Sequence, residues 1–327
     1  KVFMYVSRYT APRFSLKKTA KGSSIKGVSV RRLSSFGLHG IGLLFFFGLK
    51  RALKKDKLDV IHHQEWFFPS SFSCRWHPNL VVTQRISPPL RLRSFVLYAK
   101  LYSKLILPKA RKVTCLTSSA KRLLSSIDKN AGRRASIIPN GVDTTLFKPS
   151  KKSFRKPGVV NILYVGRLSH EKGVDMLLRA ISGVDHKYRL MIAGDGPESQ
   201  RLKKIAKEID GVDFLGKVDH KKLPELYSSA DFCVVPSRVE PFGFVTIESL
   251  ACGVPVIGSD IGGMQDVIVP SIGAKFKPSV KSIRKVLVDV LDNKRYFSWS
   301  KNASKYAKDN YSWKKIAGRY YSTYFDS

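Results

Sequence analysis

Two doubly wound α/β domains are the fold that this sequence predicts, and three observations predict it. Its 327 residues exceed the usual span of one domain and suffice for two, each able to bury a core of its own. Strand-like apolar runs alternate with helix-like stripes across short gaps, the pattern of parallel strands joined by crossover helices. A Pro/Lys/Ser-rich stretch, PSKKSFRKPG at 149–158, interrupts that alternation and sets the expected domains at 1–149 and from 150 onward. With 43% hydrophobic and 25% charged residues, 23 Gly and 16 Pro, the chain lies outside the collagen-like, low-complexity and wholly disordered classes.

In the amino-terminal half, KVFMYV and VSVRRL read as strands and Phe45 to Lys55 as a helix. LDVIHH and LVVTQR follow as strands, Phe95 to Leu107 as a helix, KVTCLTS as a strand and ASIIPNG as the exit. The carboxyl-terminal half is plainer. NILYVG (161–166) is a buried strand, and Val174, Leu177, Leu178 and Ile181 after it fall at i, i+3, i+4 and i+7, the stripe of a helix packed on a sheet. YRLMIAG (188–194) repeats the strand, and Leu202, Ile205, Ala206 and Ile209 repeat the stripe. VDFLG precedes a third stripe of Leu223, Leu226, Tyr227 and Ala230, and DFCVVPS (231–237) and VPVIGSD (254–260) supply two more strands.

The net charge of +35 predicts a polyanionic partner: nucleic acid, an acidic membrane face or an anionic substrate. Residues 1–150 hold 29 Lys and Arg against 5 Asp and Glu, and residues 151–327 hold 30 against 19, so the first half meets the anion. No known nucleic-acid reader is visible, and nucleic acid ranks below membrane as the partner. Cys74, Cys115, Cys233 and Cys252 are widely spaced and read as reduced core residues. The longest apolar run, 40–49, is about half of the ~20 residues that span a bilayer.

Open parallel sheets bind ligands at the carboxyl ends of their strands, where glycine-rich loops lead into helices. Here those loops are GRLSHEKG (166–173), GDGPE (194–198), EPFGF (240–244) and SDIGG (259–263). Arg167 and Lys172 flank the first, where both side chains can reach over a strand end toward an anion; read alone they are solvated loop cations. Glu240 and Glu248 stand eight positions apart, the first opening the third loop and the second following it, and ionised carboxylates only accept hydrogen bonds. Glu248 sits in the apolar VTIESLACGVPV, where an unpaired carboxylate is costly.

The order VGRLSHEKG, AGDGP, FLGKV, PSRVEPFGFVTIESLACGVPVIGSDIGG, with IPNGVD upstream, resembles the retaining glycosyltransferases of glycosyltransferase family 4. The resemblance covers the carboxyl-terminal half and extends more weakly to about residue 57. It implies a GT-B fold of two Rossmann-like domains facing a cleft, with the donor domain at 150–308 and a last helix at 309–327 crossing back to the first domain. Hinges near 140–158 and before about residue 309 then let the cleft close.

By the same resemblance Glu240, Arg167 and Lys172 are catalytic, Glu240 holding donor-sugar hydroxyls and the two cations the diphosphate. Glu248 holds the ribose, the amides of Gly243, Phe244 and Val245 face the phosphates, and Phe242, Gly166, Gly194 and Gly196 complete the donor site. With no D-x-D pair and basic loops present, neither metal nor cofactor is expected, only a nucleoside-diphosphate sugar as co-substrate.

Two departures bear on activity. The family opens with a strand leading to a paired-glycine loop; no such segment stands here, and several tens of residues are expected upstream of Lys1. An in-frame start codon immediately at Lys1 contradicts that expectation. The histidine that the family carries after a V-V-T-like strand is replaced by Arg85, which pairs with anions but does not shuttle protons. His62 and His63 are acceptor-side candidates or structural histidines.

Two basic-apolar segments, 40–55 and 91–112, match either sheet-packing helices or interfacial ones; the first is assigned to packing and the second left open. The expected protein is a hexosyltransferase-type enzyme on the cytoplasmic face of a membrane, acting on a lipid-linked or anionic glycan acceptor in cell-envelope glycan synthesis. A catalytically impaired scaffold that binds membrane or polyanion is the alternative.

Overall fold

The computed structural model describes residues 3–7, 9–10, 17–18, 22–25, 28–33, 35–38, 43–85, 93–151 and 154–326. Gly40 to Gly42 with Arg91 and Leu92 of the basic-apolar segments, and Lys152 and Ser153 of the linker, lie outside the described residues. The chain forms two compact units, one of residues 1–115, 120–136 and 323–327, the other of residues 116–119 and 137–322.

The first unit opens with short strands β1 (Phe3–Ser7), β2 (Tyr9–Thr10), β3 (Lys17–Lys18), β4 (Gly22–Ile25), β5 (Val28–Leu33), β6 (Ser35–Leu38) and β7 (Leu43–Phe46). Helix α1 (Leu49–Lys55) leads to β8 (Ile61–Gln64), a 3-10 turn at Pro69–Ser73, β9 (Leu80–Gln84) and α2 (Arg93–Ile106). Strand β10 (Lys112–Cys115), α3 (Ser118–Ile127), α4 (Lys129–Arg134) and β11 (Ser136–Ile137) complete it. The main sheet has the order β11-β10-β9-β8, with β9 parallel to both β8 and β10. All five residues of β9, LVVTQ, are buried, as expected of a strand covered on both faces.

The expected helix over Phe45 to Lys55 divides. Leu43–Phe46 pairs antiparallel with β6, Gly48 at φ 70° ends the strand, and only seven residues are helical. Four bulky apolar residues in a row suit a strand, and the left-handed glycine supplies the turn. Leu49 and Leu53 of α1 are buried, as the sheet-packing assignment requires.

The second unit runs β12 (Val160–Val165), α5 (Val174–Ile181), β13 (Tyr188–Ala193), α6 (Ser199–Ala206), β14 (Val212–Gly216) and α7 (Leu223–Ser228). It continues with β15 (Phe232–Val235), α8 (Phe244–Ala251), β16 (Val256–Ser259), α9 (Met264–Val267), β17 (Gly273–Phe276), α10 (Val280–Asp292), α11 (Tyr296–Tyr311) and α12 (Trp313–Phe325), whose last three residues belong to the first unit. Its six strands are parallel in the order β14-β13-β12-β15-β16-β17, so the order reverses between β12 and β15. Successive strand residues feed two cores. Leu163, Met191 and Cys233 face α7, α8 and α11, while Ile162, Leu190 and Phe232 face α5, α6 and α10. The four cysteines are free and buried, and burial pushes each thiol up to about 12, which removes them as nucleophiles.

Candidate functional site

In an open parallel sheet the crevice for a ligand lies where the strand order reverses. In the second unit the loops after β12 and β15 flank that point, and they carry Arg167 with Lys172 and Glu240 respectively. Lys172 ends a short 3-10 turn, His170–Lys172, and its Nζ donates to Glu240 Oε2 at 2.7 Å. Ser237 Oγ donates to the same oxygen at 3.3 Å. Both partners of the ion pair are mostly shielded from solvent, whereas Arg167 is exposed. The two loops approach closely because Gly173, at φ 68°, carries no Cβ to meet the Pro236 carbonyl.

The other glycine loops close around the same strand ends. Gly166 N donates to the Ala193 carbonyl at 3.0 Å, and Leu168 N to the Asp195 carbonyl at 3.0 Å. Gly194 lies so near that a Cβ on it would overlap the Gly166 carbonyl oxygen, and Gly196 packs likewise on the Leu168 carbonyl. Gly263 N donates to the Glu240 carbonyl at 3.3 Å, which ties the SDIGG loop to EPFGF.

Gly243, at φ 94°, caps α8 without a side-chain hydrogen bond, and Thr246 N donates back to its carbonyl at 3.0 Å, so among the described residues the first N–H groups of the helix are open to an anion. Among the described residues Thr246 Oγ1, buried in that turn, has no hydrogen-bond partner. Phe244 is 47% exposed and Val245 half-buried. Phe242 is not on the surface; it is buried and packs edge-on against Phe244 and Tyr311. Glu248, half-buried one turn along, accepts from Tyr227 Oη at 2.9 Å. Burial pushes its carboxyl above the ordinary carboxylate value, and the Tyr227 hydrogen bond pulls it back.

Sequence reasoning passed over the residues that hold these loops. Arg238 grips Asp175 through Nη1 at 2.7 Å and Nη2 at 2.8 Å, and its Nη1 also donates to the His170 carbonyl at 2.8 Å. The Arg238 hydrogen bond holds the Asp175 carboxyl below its ordinary value. Tyr227, read only as part of a stripe, is the partner of Glu248. An Arg two residues before Glu240 was the available signal for the first. Arg238→Ala is expected to release the Lys172 loop and lower the melting temperature by several degrees, as calorimetry of unfolding measures; an unchanged melting temperature would show that the latch is dispensable.

The first unit places His62 and His63 within β8 and Arg85 just past the end of β9. His62 Nδ1 lies 2.6 Å from Tyr324 Oη and its Nε2 lies 2.6 Å from Thr83 Oγ1. His63 Nε2 lies 3.0 Å from Ser70 Oγ, and Arg85 Nη1 donates to Gln64 Oε1 at 3.2 Å. Burial lowers both histidines to about 4, helped at His62 by His63 and Arg85. Both are neutral in this fold at neutral pH. Unfolded histidines bind protons from about pH 6.5, so stability is full above that pH and declines as pH falls toward about 4. The melting temperature should therefore fall by several degrees between pH 6.5 and 4.5, and His62→Gln with His63→Gln should flatten that slope; a slope unaltered by the double variant would place the effect elsewhere.

Comparison with known proteins places this geometry. The model described as glycosyl transferases group 1 matches residues 147–310, and the model described as Glycosyltransferase Family 4 matches residues 4–146. An uncharacterized glycosyltransferase of Methanocaldococcus jannaschii is 33% identical over 224 residues, 63% of this chain and 57% of its own length. A human protein, one of the subunits of phosphatidylinositol N-acetylglucosaminyltransferase, is 24% identical over 286 residues, 83% of this chain. Those alignments span less than two thirds of the two relatives, 57% and 58%. Among solved structures, a sucrose-phosphate synthase from Thermosynechococcus elongatus superposes with TM-score 0.76 at 24% identity, covering 99% of this chain and 88% of that one. Anabaena HepE in complex with UDP and glucose superposes with TM-score 0.71 at 18% identity, covering 92% and 87%. The fold is GT-B, built from two parallel-sheet α/β units, and the chain belongs to the glycosyl transferases group 1 family.

Proposed function

We propose that this chain is a retaining, metal-independent glycosyltransferase that moves a sugar from a nucleoside-diphosphate sugar to a lipid-linked or glycan acceptor at the cytoplasmic face of a membrane. The observation that carries the reading is the Lys172–Glu240 pair, held at 2.7 Å where the strand order reverses. A departing nucleoside diphosphate develops negative charge on the oxygen leaving the sugar, and fixed cations stabilise it most where water is scarce. Lys172 and Arg167 supply those cations. When a diphosphate draws Lys172 away, Glu240 Oε2 is free to accept from donor-sugar hydroxyls.

The start of α8 receives the phosphates through the N–H groups of Gly243, Phe244 and Val245, and the partnerless Thr246 hydroxyl faces the same need. Glu248, oriented by Tyr227, accepts from the ribose hydroxyls. Gly166, Gly194 and Gly196 let the loops that frame the donor pack closely, since a Cβ at each would meet the Tyr164 hydroxyl, the Gly166 carbonyl and the Leu168 carbonyl respectively. Phe242 acts from below, by packing under Phe244.

In the transfer step the bond from the anomeric carbon to the phosphate oxygen breaks while a bond to the acceptor oxygen forms on the same face. The acceptor proton passes to the departing phosphate oxygen, so no protein base is required and the absence of a histidine at Arg85 is tolerated. His62, His63 and Arg85 are the acceptor-side contacts of this reading. The donor class is supported by the HepE structure, which holds UDP and glucose. The membrane setting is supported by the human relative, one component of a phosphatidylinositol glycosyltransferase, and by the basic first half. Titration calorimetry of UDP, GDP and ADP against the full chain tests the donor site. One of the three should bind, with Lys172→Ala weakening it tenfold or more; binding of none would overturn the reading.

A further inference from the structure

A soluble helix ordinarily turns its leucines inward, and α2 does not. Ala99, Ser103 and Ile106 face the core, while Leu97, Leu101 and Leu105 are 60, 57 and 47% exposed. These three stand at i, i+4 and i+8, a single row along the outer face. The helix is fixed in that attitude: Tyr98 Oη donates to the Phe67 carbonyl at 2.7 Å and Tyr102 Oη to the Pro69 carbonyl at 3.3 Å, the two rings stacked 5.1 Å apart. The Pro69–Ser73 turn beneath them carries Phe72, 44% exposed with the Arg75 guanidinium 3.8 Å from its ring centre. The same turn packs on β7 and α1, between which Phe47 is 66% exposed.

The stretch of chain that carries α2 and the Pro69–Ser73 turn is charged with one sign. Residues 66–127 contain eleven Lys and Arg and no Asp or Glu. Lys100 and Lys104 alternate with the leucine row and are exposed. At the carboxyl end of α2, Lys104, Lys129 and Arg134 border a cavity of about 580 Å3, where the Asp128 carboxylate is engaged by Ala131 N at 2.9 Å. A narrow row of leucines edged by lysines matches the boundary between headgroups and acyl chains, because lysine stems lie along apolar surface while their ammonium groups reach phosphate. An anionic bilayer offers negative charge at every lateral position, which suits so uniform a field. No helix among the described residues is long and apolar enough to cross a membrane.

We propose that α2, with Phe72 and Phe47 beside it, is the surface on which this chain docks to an anionic lipid bilayer, its leucine row entering the acyl boundary and Lys100 and Lys104 meeting lipid phosphates. The assignment rests on the peripheral-membrane reading given above and names the surface that performs it. The leucines and lysines substituted below are exposed, so the changes leave the core intact.

Co-sedimentation of the full chain with vesicles of phosphatidylcholine, alone or with phosphatidylglycerol, tests it. The unaltered chain should bind the phosphatidylglycerol vesicles and release them in high salt. Leu97→Ser with Leu101→Ser and Leu105→Ser should lower the partition coefficient about a hundredfold. Lys100→Glu with Lys104→Glu should abolish the preference for the anionic lipid. Both variants should keep the unaltered chain's affinity for its nucleoside diphosphate. Vesicle binding untouched by the leucine variant overturns the assignment of α2 while sparing the membrane reading, and no vesicle binding by the unaltered chain overturns both. A dimer that dissociates in the leucine variant, without vesicle binding, would identify the face as a contact between copies and equally overturn the proposal.

Discussion

Glu240→Ala is expected to lower kcat/KM for sugar transfer about a thousandfold, the scale of losing a group that acts where charge develops. Two effects combine. On the proposed function the donor-sugar hydroxyls lose their carboxylate acceptor, and before donor binds Lys172 loses the partner that holds it at 2.7 Å in a shielded place. Glu240→Gln separates them, since it keeps an acceptor oxygen and the shape but not the charge; it should fall between the unaltered chain and alanine. Transfer kinetics of the three proteins, with melting curves to establish that each is folded, measure the effect. An alanine variant within tenfold of the unaltered chain would remove Glu240 from the chemistry.

Gly194→Ala should disable the proposed donor site through the backbone. Residue 194 has φ 144°, a region nearly closed to residues with a side chain, and a Cβ there would run into the Gly166 carbonyl oxygen. The loop after β13 must then move away from the loop after β12, breaking the bonds from Gly166 N to Ala193 O and from Leu168 N to Asp195 O. A cost of about 3 kcal/mol or more is expected, a fall of roughly 10 °C in melting temperature, with nucleoside-diphosphate binding lost in parallel. Calorimetry of unfolding and of binding checks both. Retained affinity in the destabilised protein would show that the Gly166–Gly194 contact serves the fold alone.

The second unit was legible because its central strands are buried on both faces and so appear as continuous apolar runs, and clear helical stripes follow β12, β13 and β14. The sequence reading nevertheless passed over β17 and α10. GAKF is four residues at the sheet edge with an exposed lysine, too short and mixed to stand out, whereas Ile283, Leu287, Val290 and Leu291 form a stripe as regular as those identified. In the first unit, the run LLFFFGL fitted strand and helix alike, and the choice fell to a pairing with Ser35–Leu38 and to Gly48, neither of which periodicity reveals.

The site's residue types were legible; its contacts were not. Lys172 and Glu240 are 68 positions apart, and their meeting depends on the reversal of strand order and on Gly173 admitting the Pro236 backbone. Arg238 and Asp175 looked like ordinary surface charges, since a two-pronged ion pair between loops leaves no periodic trace. Phe242 illustrates the converse: its place in the EPFGF loop suggested a ligand contact, while its side chain belongs to the core.

Radiolabel transfer from UDP-, GDP- and ADP-sugars into the solvent-extractable lipids and glycans of source membranes tests the central claim most directly, with Glu240→Ala alongside. The account predicts label from one donor, entering a lipid or glycan fraction and disappearing in the variant. Transfer that persists in the variant, or no transfer from any donor by a chain that binds membranes, would contradict it; the second result would make the protein a membrane-bound scaffold with a glycosyltransferase fold.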